Sequence, residues 1–208
     1  MKKTLIGAIN DPEMVKAAKW VIQTGRLIIF PTDTVFGIAC DPWKETAIQA
    51  IYEVKQRAPE KAIPILIGEI TQLASVTASI SPRAAHLART FWPGALTLLL
   101  PKHESLPGLI SAYPSVGIRM PDHAALCSLL MATGPLATTS ANLSGSANLT
   151  VFSEIIDQFK GKVELILDDG AEKNETASTV VDCSGDEPVI VREGPISREA
   201  IIRAWKGS

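Results

Sequence analysis

Apolar residues recur along this chain with two different spacings, and the changes between them predict its elements. Spacings of three and four positions predict helices, and short continuous apolar runs predict buried strands. The predicted helices cover 12–24, 44–55, 69–76, 81–90, 121–131 and 197–205. The predicted strands cover 27–30, 63–67, 96–100, 116–120, 163–167, 178–182 and 188–192. Helices and strands interleave throughout, which indicates an α/β or mixed α+β fold on one large sheet.

Local signals mark several of these boundaries. Asp11 can cap the first helix, Pro12 suits its first position, and Gly25 ends it. Ser81 and the proline after it form a second start signal of the same kind. Pro64 places the strand at 63–67 near a sheet edge or at the beginning of that strand.

Length and composition fit a globular enzyme or binding domain with a sizeable core. The chain has 208 residues, 46% hydrophobic and 20% charged. The most linker-like stretch is 168–177, but a strand pattern resumes directly after it, so we predict a single domain over 1–208. A net charge of −2 argues against a broad basic surface for nucleic acid. Any anion site must therefore be a local cluster.

The cysteines and the apolar runs indicate in which cellular compartment we expect the protein. Cys40, Cys127 and Cys183 are odd in number and far apart, which suits neither a disulfide framework nor a zinc site and fits a reducing cytoplasm. The first residues lack the apolar region of a signal peptide, and no apolar run approaches the roughly 20 residues of a membrane span. We expect a cytoplasmic protein with no membrane partner.

Two polar segments follow strand-like runs. The sequence at 138–145, TTSANLSG, offers hydroxyl, amide and backbone N–H groups that can face an anion, although a Ser/Asn turn closed by Gly145 explains it equally well. The segment at 31–37, PTDTVFG, follows the strand at 27–30, where ligands gather in α/β sheets. Its alternative is a strand-end turn whose hydroxyls are already satisfied.

Four cations occupy positions that need an explanation. Lys55 and Arg57 end the second helix, where they can converge on one anion or simply favour the helix C-terminus. Arg119 lies in an apolar strand, so it needs either a bound carboxylate or phosphate or an internal Asp or Glu. Arg192 ends the strand at 188–192 and is either a ligand contact or an exposed cation on an edge strand.

Several site types are excluded by their missing patterns. The chain has no P-loop and no dinucleotide fingerprint, and no His or Cys pair has metal-ligand spacing. Ser140 and Ser144 lack the glycine-flanked elbow of a hydrolase nucleophile.

Together the segments resemble the YrdC-like family of threonylcarbamoyl-AMP synthases in its short form. They occur in the family's order and cover most of the chain. The matching segments are 31–37, 55–57, 92–94 with Thr97, 118–121, 140–145, 178–182 and 192–194.

The resemblance implies a large, twisted mixed sheet with flanking helices and a deep, positively lined cavity. It implies a nucleotidyltransferase that converts L-threonine, bicarbonate and ATP into threonylcarbamoyl-AMP and pyrophosphate. This would be the first step of threonylcarbamoyl-adenosine formation in tRNAs that read ANN codons, with a partner transferase completing it. Direct binding of tRNA or double-stranded RNA is also implied. Mg²⁺ would be held mainly by phosphates and water rather than by a protein metal site.

The resemblance also assigns roles to single residues. Lys55 and Arg57 would be catalytic and would contact the phosphates. L-Threonine would be bound by the side chains of Thr32, Arg119, Ser140 and Ser178. The nucleotide would also be contacted by Ser115, Asn142, Thr150 and Arg192.

The chain departs from the family pattern at two places. Many relatives have a histidine in the strand at 63–67, where this chain has none, and many have Ser-Pro-Thr where this chain has Asn148, Leu149 and Thr150. Two alternative functions therefore stay open. One is a non-catalytic RNA-binding or regulatory paralogue, and the other is a carbamoyl- or acyl-adenylate enzyme with another substrate.

Overall fold

The computed structural model describes residues 3–173 and 176–207, and within them strands and helices interleave along the chain. The helices are α1 (Pro12–Gln23), α2 (Glu45–Lys55), α3 (Leu73–Val76), α4 (Pro82–Phe91), α5 (Ala124–Thr133), α6 (Phe152–Phe159) and α7 (Arg198–Lys206). The strands are β1 (Leu5–Ala8), β2 (Ile28–Phe30), β3 (Gly37–Cys40), β4 (Ile65–Leu66), β5 (Leu96–Pro101), β6 (Ser115–Arg119), β7 (Leu136–Ser140), β8 (Leu165–Asp168), β9 (Thr179–Asp182) and β10 (Val189–Arg192).

The ten strands form one mixed sheet in the order β1-β8-β2-β3-β7-β4-β6-β5-β9-β10. The pairs β1–β8, β8–β2, β4–β6 and β5–β9 are parallel, and the remaining neighbours are antiparallel. The predicted fold class, a mixed α/β sheet with flanking helices, is confirmed.

Most of the predicted elements are confirmed. The Asp11 carboxylate accepts the Glu13 N–H at the start of α1, and the Ser81 hydroxyl accepts the Ala84 N–H at the start of α4. Pro64 directly precedes β4, which lies inside the sheet between β7 and β6, so the prediction of a strand start is correct and that of an edge is wrong.

Other predictions differ from the structure. The helix predicted at 69–76 is a 3-10 turn (Ile70–Gln72) followed by the short α3. The helix predicted from residue 121 begins at Ala124, because the ring of His123 caps it by accepting the Leu126 N–H at 3.1 Å. Strands β1 and β3 and helix α6 were not predicted.

Successive residues of each strand place their side chains on opposite faces of the sheet. On one face, Ile38, Ile65 and Ile118 join a large core with residues of α2, α4 and α7. On the opposite face, Ile28 and Phe30 join a smaller core with α1 and α5. These two helices cover only the end of that face that is formed by β1, β8, β2 and their neighbours. Since strand side chains alternate, the same face continues over β6, β5 and β9 as Gly117, Thr97 and Val180. Here it borders a cavity.

In the part of the chain that the structure describes, no helix has the length and apolar character needed to cross a membrane.

Candidate anion-binding cavity

The cavity has a volume of about 310 Å³ and lies where the helical cover of the sheet ends. Its charged lining residues, among those that the structure describes, are Arg57, Arg119 and Arg192, and no Asp or Glu side chain lines it. Three guanidinium groups without a carboxylate in the wall give a strongly positive interior in a chain whose net charge is −2. The positively lined cavity expected from the sequence is therefore present.

Arg119, at the end of β6, is held on three sides. Its Nε donates to the Gly94 carbonyl at 2.9 Å, its Nη1 to the Thr34 hydroxyl at 2.9 Å, and its Nη2 to Asp33 Oδ1 at 2.6 Å. Asp33 is thus the internal acid that the sequence left as one alternative. A guanidinium carries five N–H donors, so these bonds leave two for a ligand in the cavity.

Gly94, whose carbonyl accepts the Arg119 Nε–H, lies where a residue with a side chain would not fit. A Cβ at this position would lie 2.4 Å from the Phe91 carbonyl oxygen, which is backbone and cannot move aside. The Gly94 N–H also donates to the Met120 carbonyl at 2.8 Å. The backbone at 94 and the end of β6 therefore hold each other beside Arg119.

Thr32 organises the turn that carries Asp33. Its hydroxyl donates to the Val35 carbonyl at 2.7 Å and accepts the N–H groups of Thr34 and Val35. These bonds use the hydroxyl proton, so the structure shows the satisfied strand-end turn that was the alternative for this segment. Thr32 is buried and still lines the cavity. Its predicted contact with threonine stays a prediction.

Arg57 lies at the other side of the cavity, just after α2. Gln56 adopts a left-handed conformation, with φ of 51°, and this turns the chain out of the helix. The Arg57 guanidinium donates to the carbonyls of Lys61 and Ala62 at 3.2 and 3.0 Å. Both acceptors are neutral, so its charge has no carboxylate partner among the described residues.

Lys55 does not line the cavity but lies behind the loop at 140–146. Its side chain is 1% exposed, and its ammonium donates to the Ser140 carbonyl, to the Asn142 carbonyl at 2.5 Å and to Asn142 Oδ1 at 3.1 Å. An ammonium has three N–H donors, so all of them go to this loop. The Lys55 carbonyl in turn accepts the Ser144 N–H at 2.9 Å.

The loop at 140–146 is also bonded internally. The Ser140 hydroxyl donates to Asn142 Oδ1 at 2.6 Å, and Asn142 Nδ2 donates to the Ser146 carbonyl at 2.6 Å. The Ala141 N–H donates to the Phe36 carbonyl at 2.7 Å. Ser140 lines the cavity, whereas Asn142 is buried and does not. The loop thus presents Ser140 on a frame that Asn142 and Lys55 hold.

Arg192 reaches the cavity from the edge strand β10. Its Nε donates to the Ser178 carbonyl at 3.0 Å and its Nη2 to the Ser178 hydroxyl at 3.2 Å. That hydroxyl also lies 2.8 Å from the Thr97 hydroxyl. Gly194 allows the close approach, because a Cβ there would lie 2.4 Å from the Thr179 nitrogen.

Besides Lys55 and Asn142, two more predicted site residues lie outside the cavity lining. Ser115 is on the same face of β6 as Gly117 and Arg119, two residues beyond the lining. The Thr150 carbonyl accepts the Lys173 N–H at 3.1 Å, which ties this residue to the segment that leads towards β9. The structure therefore brings Thr32, Arg57, Arg119, Ser140, Ser178 and Arg192 to the cavity, and leaves Lys55, Asn142, Ser115 and Thr150 outside its wall.

Burial changes the proton affinity of these cations. Burial, and next the charge of Arg57, lower the pKa of Lys55 to about 7. Burial also lowers the pKa of Arg119, and the Asp33 carboxylate opposes that change. Arg192 is exposed on the edge strand β10, as one of the two alternatives from the sequence stated, and its pKa is lowered by partial burial of the guanidinium and then by the positive charge of Arg119.

Sequence reasoning missed Asp33 and Gly117. Asp33 belonged to the segment at 31–37 but was not predicted to be a site residue. Gly117 forms part of the cavity floor, where a Cβ would lie 3.0 Å from Thr97 Cγ2 and 3.4 Å from Pro64 Cβ. A polar turn after one strand and an arginine ending another were visible signals, but the order of the strands in the sheet was not.

The described lining residues offer hydroxyls and guanidinium groups but no carboxylate ligand for a divalent cation. No group of three or more His, Cys, Asp or Glu side chains among the described residues is arranged to hold a metal ion. The described lining thus offers no protein ligand set for a divalent cation, and any such cation would have to be held by the ligand and by water.

Comparisons with known proteins identify the family of this chain. A model of the Sua5, YciO and YrdC family, described as "Telomere recombination", matches residues 20–194. A Bacillus subtilis protein named threonylcarbamoyl-AMP synthase is 36% identical over 92% of this chain, and the match spans 56% of that protein. The chain therefore spans little more than half the length of this relative.

Solved structures give the same result. The crystal structure of Pyrococcus abyssi Sua5 complexed with L-threonine superposes with a TM-score of 0.88 at 34% identity, over 98% of this chain and 60% of that one. The crystal structure of Escherichia coli YciO superposes with a TM-score of 0.83 at 25% identity, over 94% of this chain and 97% of that one.

Proposed function

Because this chain belongs to the Sua5, YciO and YrdC family, we propose that it is a threonylcarbamoyl-AMP synthase. It would convert L-threonine, bicarbonate and ATP into threonylcarbamoyl-AMP and pyrophosphate. The observation that carries the proposal is the cavity in which Arg57, Arg119 and Arg192 converge without a carboxylate in the described wall. The name of the Bacillus subtilis relative and the threonine complex of Pyrococcus abyssi Sua5 support the choice of substrate.

The reaction needs positioned cations rather than a covalent nucleophile. The threonine amine, after loss of its ammonium proton, attacks CO₂ with release of a proton, or bicarbonate with release of water, to give an N-carboxylated threonine. An oxygen of the new carboxylate then bonds to the α-phosphorus while the bond to the pyrophosphate leaving group breaks. Bicarbonate, the N-carboxylated threonine, ATP and pyrophosphate are all anionic, and negative charge develops at phosphorus in the second step. Guanidinium groups that internal hydrogen bonds already hold in place stabilise such charge effectively, because they need little reorganisation during the reaction.

The geometry suggests a division of roles among the arginines. Arg119 has two N–H donors left after its internal bonds and would hold the threonine carboxylate, with Ser178 and Ser140 nearby on the lining. Arg57, bound only to neutral carbonyls, would meet phosphate or bicarbonate. Arg192 would contact the nucleotide, and Ser115 would extend that contact along the same face of β6.

Lys55 would act through the loop at 140–146. Its three donors already bind loop oxygens, so we propose that it fixes the loop that presents Ser140 to the substrates. Asn142 completes the same frame. In this role Lys55 is a positioning residue for the reaction.

The product would be consumed outside this chain. Threonylcarbamoyl-AMP is a mixed anhydride, so a partner transferase would move its acyl group to the tRNA adenosine. The three free cysteines fit a reducing cytoplasm as the compartment of both steps.

Pyrophosphate release tests the proposed function. We expect release from Mg·ATP only when L-threonine and bicarbonate are both present, with threonylcarbamoyl-AMP detected by mass spectrometry. A parallel panel of other amino acids tests the substrate, since Pro64 and Leu66 line the wall near β4 where many relatives have a histidine. No release with any amino acid, together with salt-dependent tRNA binding, would contradict the synthase and favour the RNA-binding alternative.

A further inference from the structure

Asp33 stands directly behind the cavity wall. Its Oδ1 lies 2.6 Å from Arg119 Nη2, and the two side chains are 15% and 7% exposed. Arg119 lines the cavity and Asp33 does not. Within the ranges 3–173 and 176–207, Asp33 is the one carboxylate in an ion pair with any of the three cavity arginines. The charge of Arg119 is therefore partly neutralised from behind, whereas those of Arg57 and Arg192 are not.

Asp33 acts at one part of the cavity wall. Arg57 donates only to the neutral carbonyls of Lys61 and Ala62. At the Arg119 end, a carboxylate faces the Arg119 guanidinium from outside the cavity, and Arg192 reaches the same end through the hydroxyl of Ser178. Asp33 therefore lowers the net positive charge that a ligand meets between Arg119 and Arg192.

We propose that Asp33 sets the ligand selectivity of the Arg119 end of the cavity. It favours a zwitterionic amino acid there and disfavours polyphosphate. Asp33 is a positioning residue, because it acts through Arg119. This inference rests on the proposed function and deepens it, since it names the residue that makes Arg119 a site for an amino acid rather than for a polyphosphate.

The electrostatic reason follows from the charges of the two ligand classes. L-Threonine at neutral pH carries one ammonium and one carboxylate, so its net charge is close to zero. Inorganic pyrophosphate carries several negative charges. Removing the Asp33 charge would therefore strengthen the attraction for pyrophosphate strongly and would not strengthen it for threonine, whose ammonium group loses a nearby negative charge.

Asp33 also fixes the geometry of the guanidinium. Together with Thr34 and Gly94 it occupies three of the five donors and sets the plane of the group. The two remaining donors can then bind one carboxylate in a defined orientation. Pyrophosphate has more acceptor oxygens than a carboxylate and can meet the two donors in several orientations, so its binding depends less on the plane of the guanidinium.

The test is direct binding of two probes by isothermal titration calorimetry. L-Threonine alone and inorganic pyrophosphate alone are titrated into the wild-type chain, Asp33→Asn, Asp33→Glu and Asp157→Asn. Asp157 is exposed on α6, so its variant has the same change of net charge as Asp33→Asn at a site away from the lining.

We expect opposite shifts in Asp33→Asn, with pyrophosphate bound about five-fold more tightly and threonine about five-fold more weakly. Asp33→Glu keeps the negative charge and changes the geometry of the ion pair. It should therefore weaken the binding of threonine and leave the affinity for pyrophosphate as in the wild type. Asp157→Asn should change neither affinity. If Asp33 had only a structural role, Asp33→Asn would bind both probes more weakly.

Two results would overturn the inference. One is an Asp33→Asn variant that binds both probes as the wild type does, or both more weakly. The other, decisive even if the Asn variant does not fold, is tighter pyrophosphate binding by Asp33→Glu. Failure of the proposed function looks different, because the wild-type chain would then bind no threonine while the pyrophosphate comparison between variants could still be read.

Discussion

Lys55 and Arg119 are both buried cations near one cavity, and they are held in opposite ways. Lys55 has no carboxylate partner among the described residues and directs all three donors to oxygens of the loop at 140–146. Arg119 forms an ion pair with Asp33 and still has donors left for the cavity. The difference indicates that burial of a cation does not by itself predict a ligand contact. The number of donors left after the internal bonds decides whether a ligand can be bound.

The largest effect is expected from Arg119→Met. The variant leaves Asp33 without its partner, so the free energy of unfolding should fall by about 3–5 kcal/mol, as for other broken buried pairs. L-Threonine affinity should fall by about 100-fold, because the carboxylate loses a charge-assisted contact. Chemical denaturation and calorimetric titration measure the two effects.

The double variant Asp33→Asn with Arg119→Met is the matched control for this experiment. It should recover much of the stability, since no unpaired carboxylate remains, but none of the threonine affinity. A single Arg119→Met variant that binds threonine normally would show that the carboxylate is held elsewhere.

A smaller effect on stability is expected from Lys55→Met. The loop oxygens lose their donor, which destabilises the fold, but the cost of burying an ammonium group is also removed. We therefore expect the free energy of unfolding to fall by about 1–3 kcal/mol. Pyrophosphate release should fall by about 10- to 100-fold because Ser140 is less well positioned. Hydrogen exchange at the amides of Ser144 and Ser146 reports on the order of the loop. Lys19→Met, at an exposed position of α1, is the control and should leave this exchange unchanged.

The outcome separates two roles of Lys55. Loss of turnover with faster exchange in the loop supports positioning. Loss of turnover with unchanged exchange and stability would instead favour the direct phosphate contact predicted from the sequence.

The last effect concerns pH and again involves Lys55 alone. Its pKa is lowered from 10.5 to about 7 in the folded chain, so between these values the unfolded chain binds more protons. Stability then rises with pH over this window. The difference in unfolding free energy between wild type and Lys55→Met should increase between pH 7 and pH 9 in urea titrations. A constant difference would show that the loop oxygens keep Lys55 protonated.

The partner of Arg119 shows where sequence reasoning ends. One arginine in an apolar strand indicated that Arg119 needs an anionic partner. The sequence left open whether that partner is a ligand or an internal Asp or Glu. Asp33 lies 86 positions away along the chain. It reaches Arg119 only because β2 and β6 occupy particular places in the sheet order, and local patterns do not specify that order.

The missed elements have different causes. Strand β3 is buried on both faces and follows a polar turn, so it shows no alternation. Helix α6 did carry a readable signal, since Phe152, Ile155, Ile156 and Phe159 have helical spacing. By contrast, α1 and α4 were predicted closely because cap residues marked their starts.

The alternation along β6 also bears on how such a chain can diverge. Val116 and Ile118 belong to the large core, whereas Gly117 and Arg119 line the cavity. Stability and ligand choice are thus encoded in interleaved positions of one strand. Mutations at the cavity-facing positions can therefore change which ligand is bound while the neighbouring positions preserve the core, so ligand choice can diverge on an unchanged scaffold.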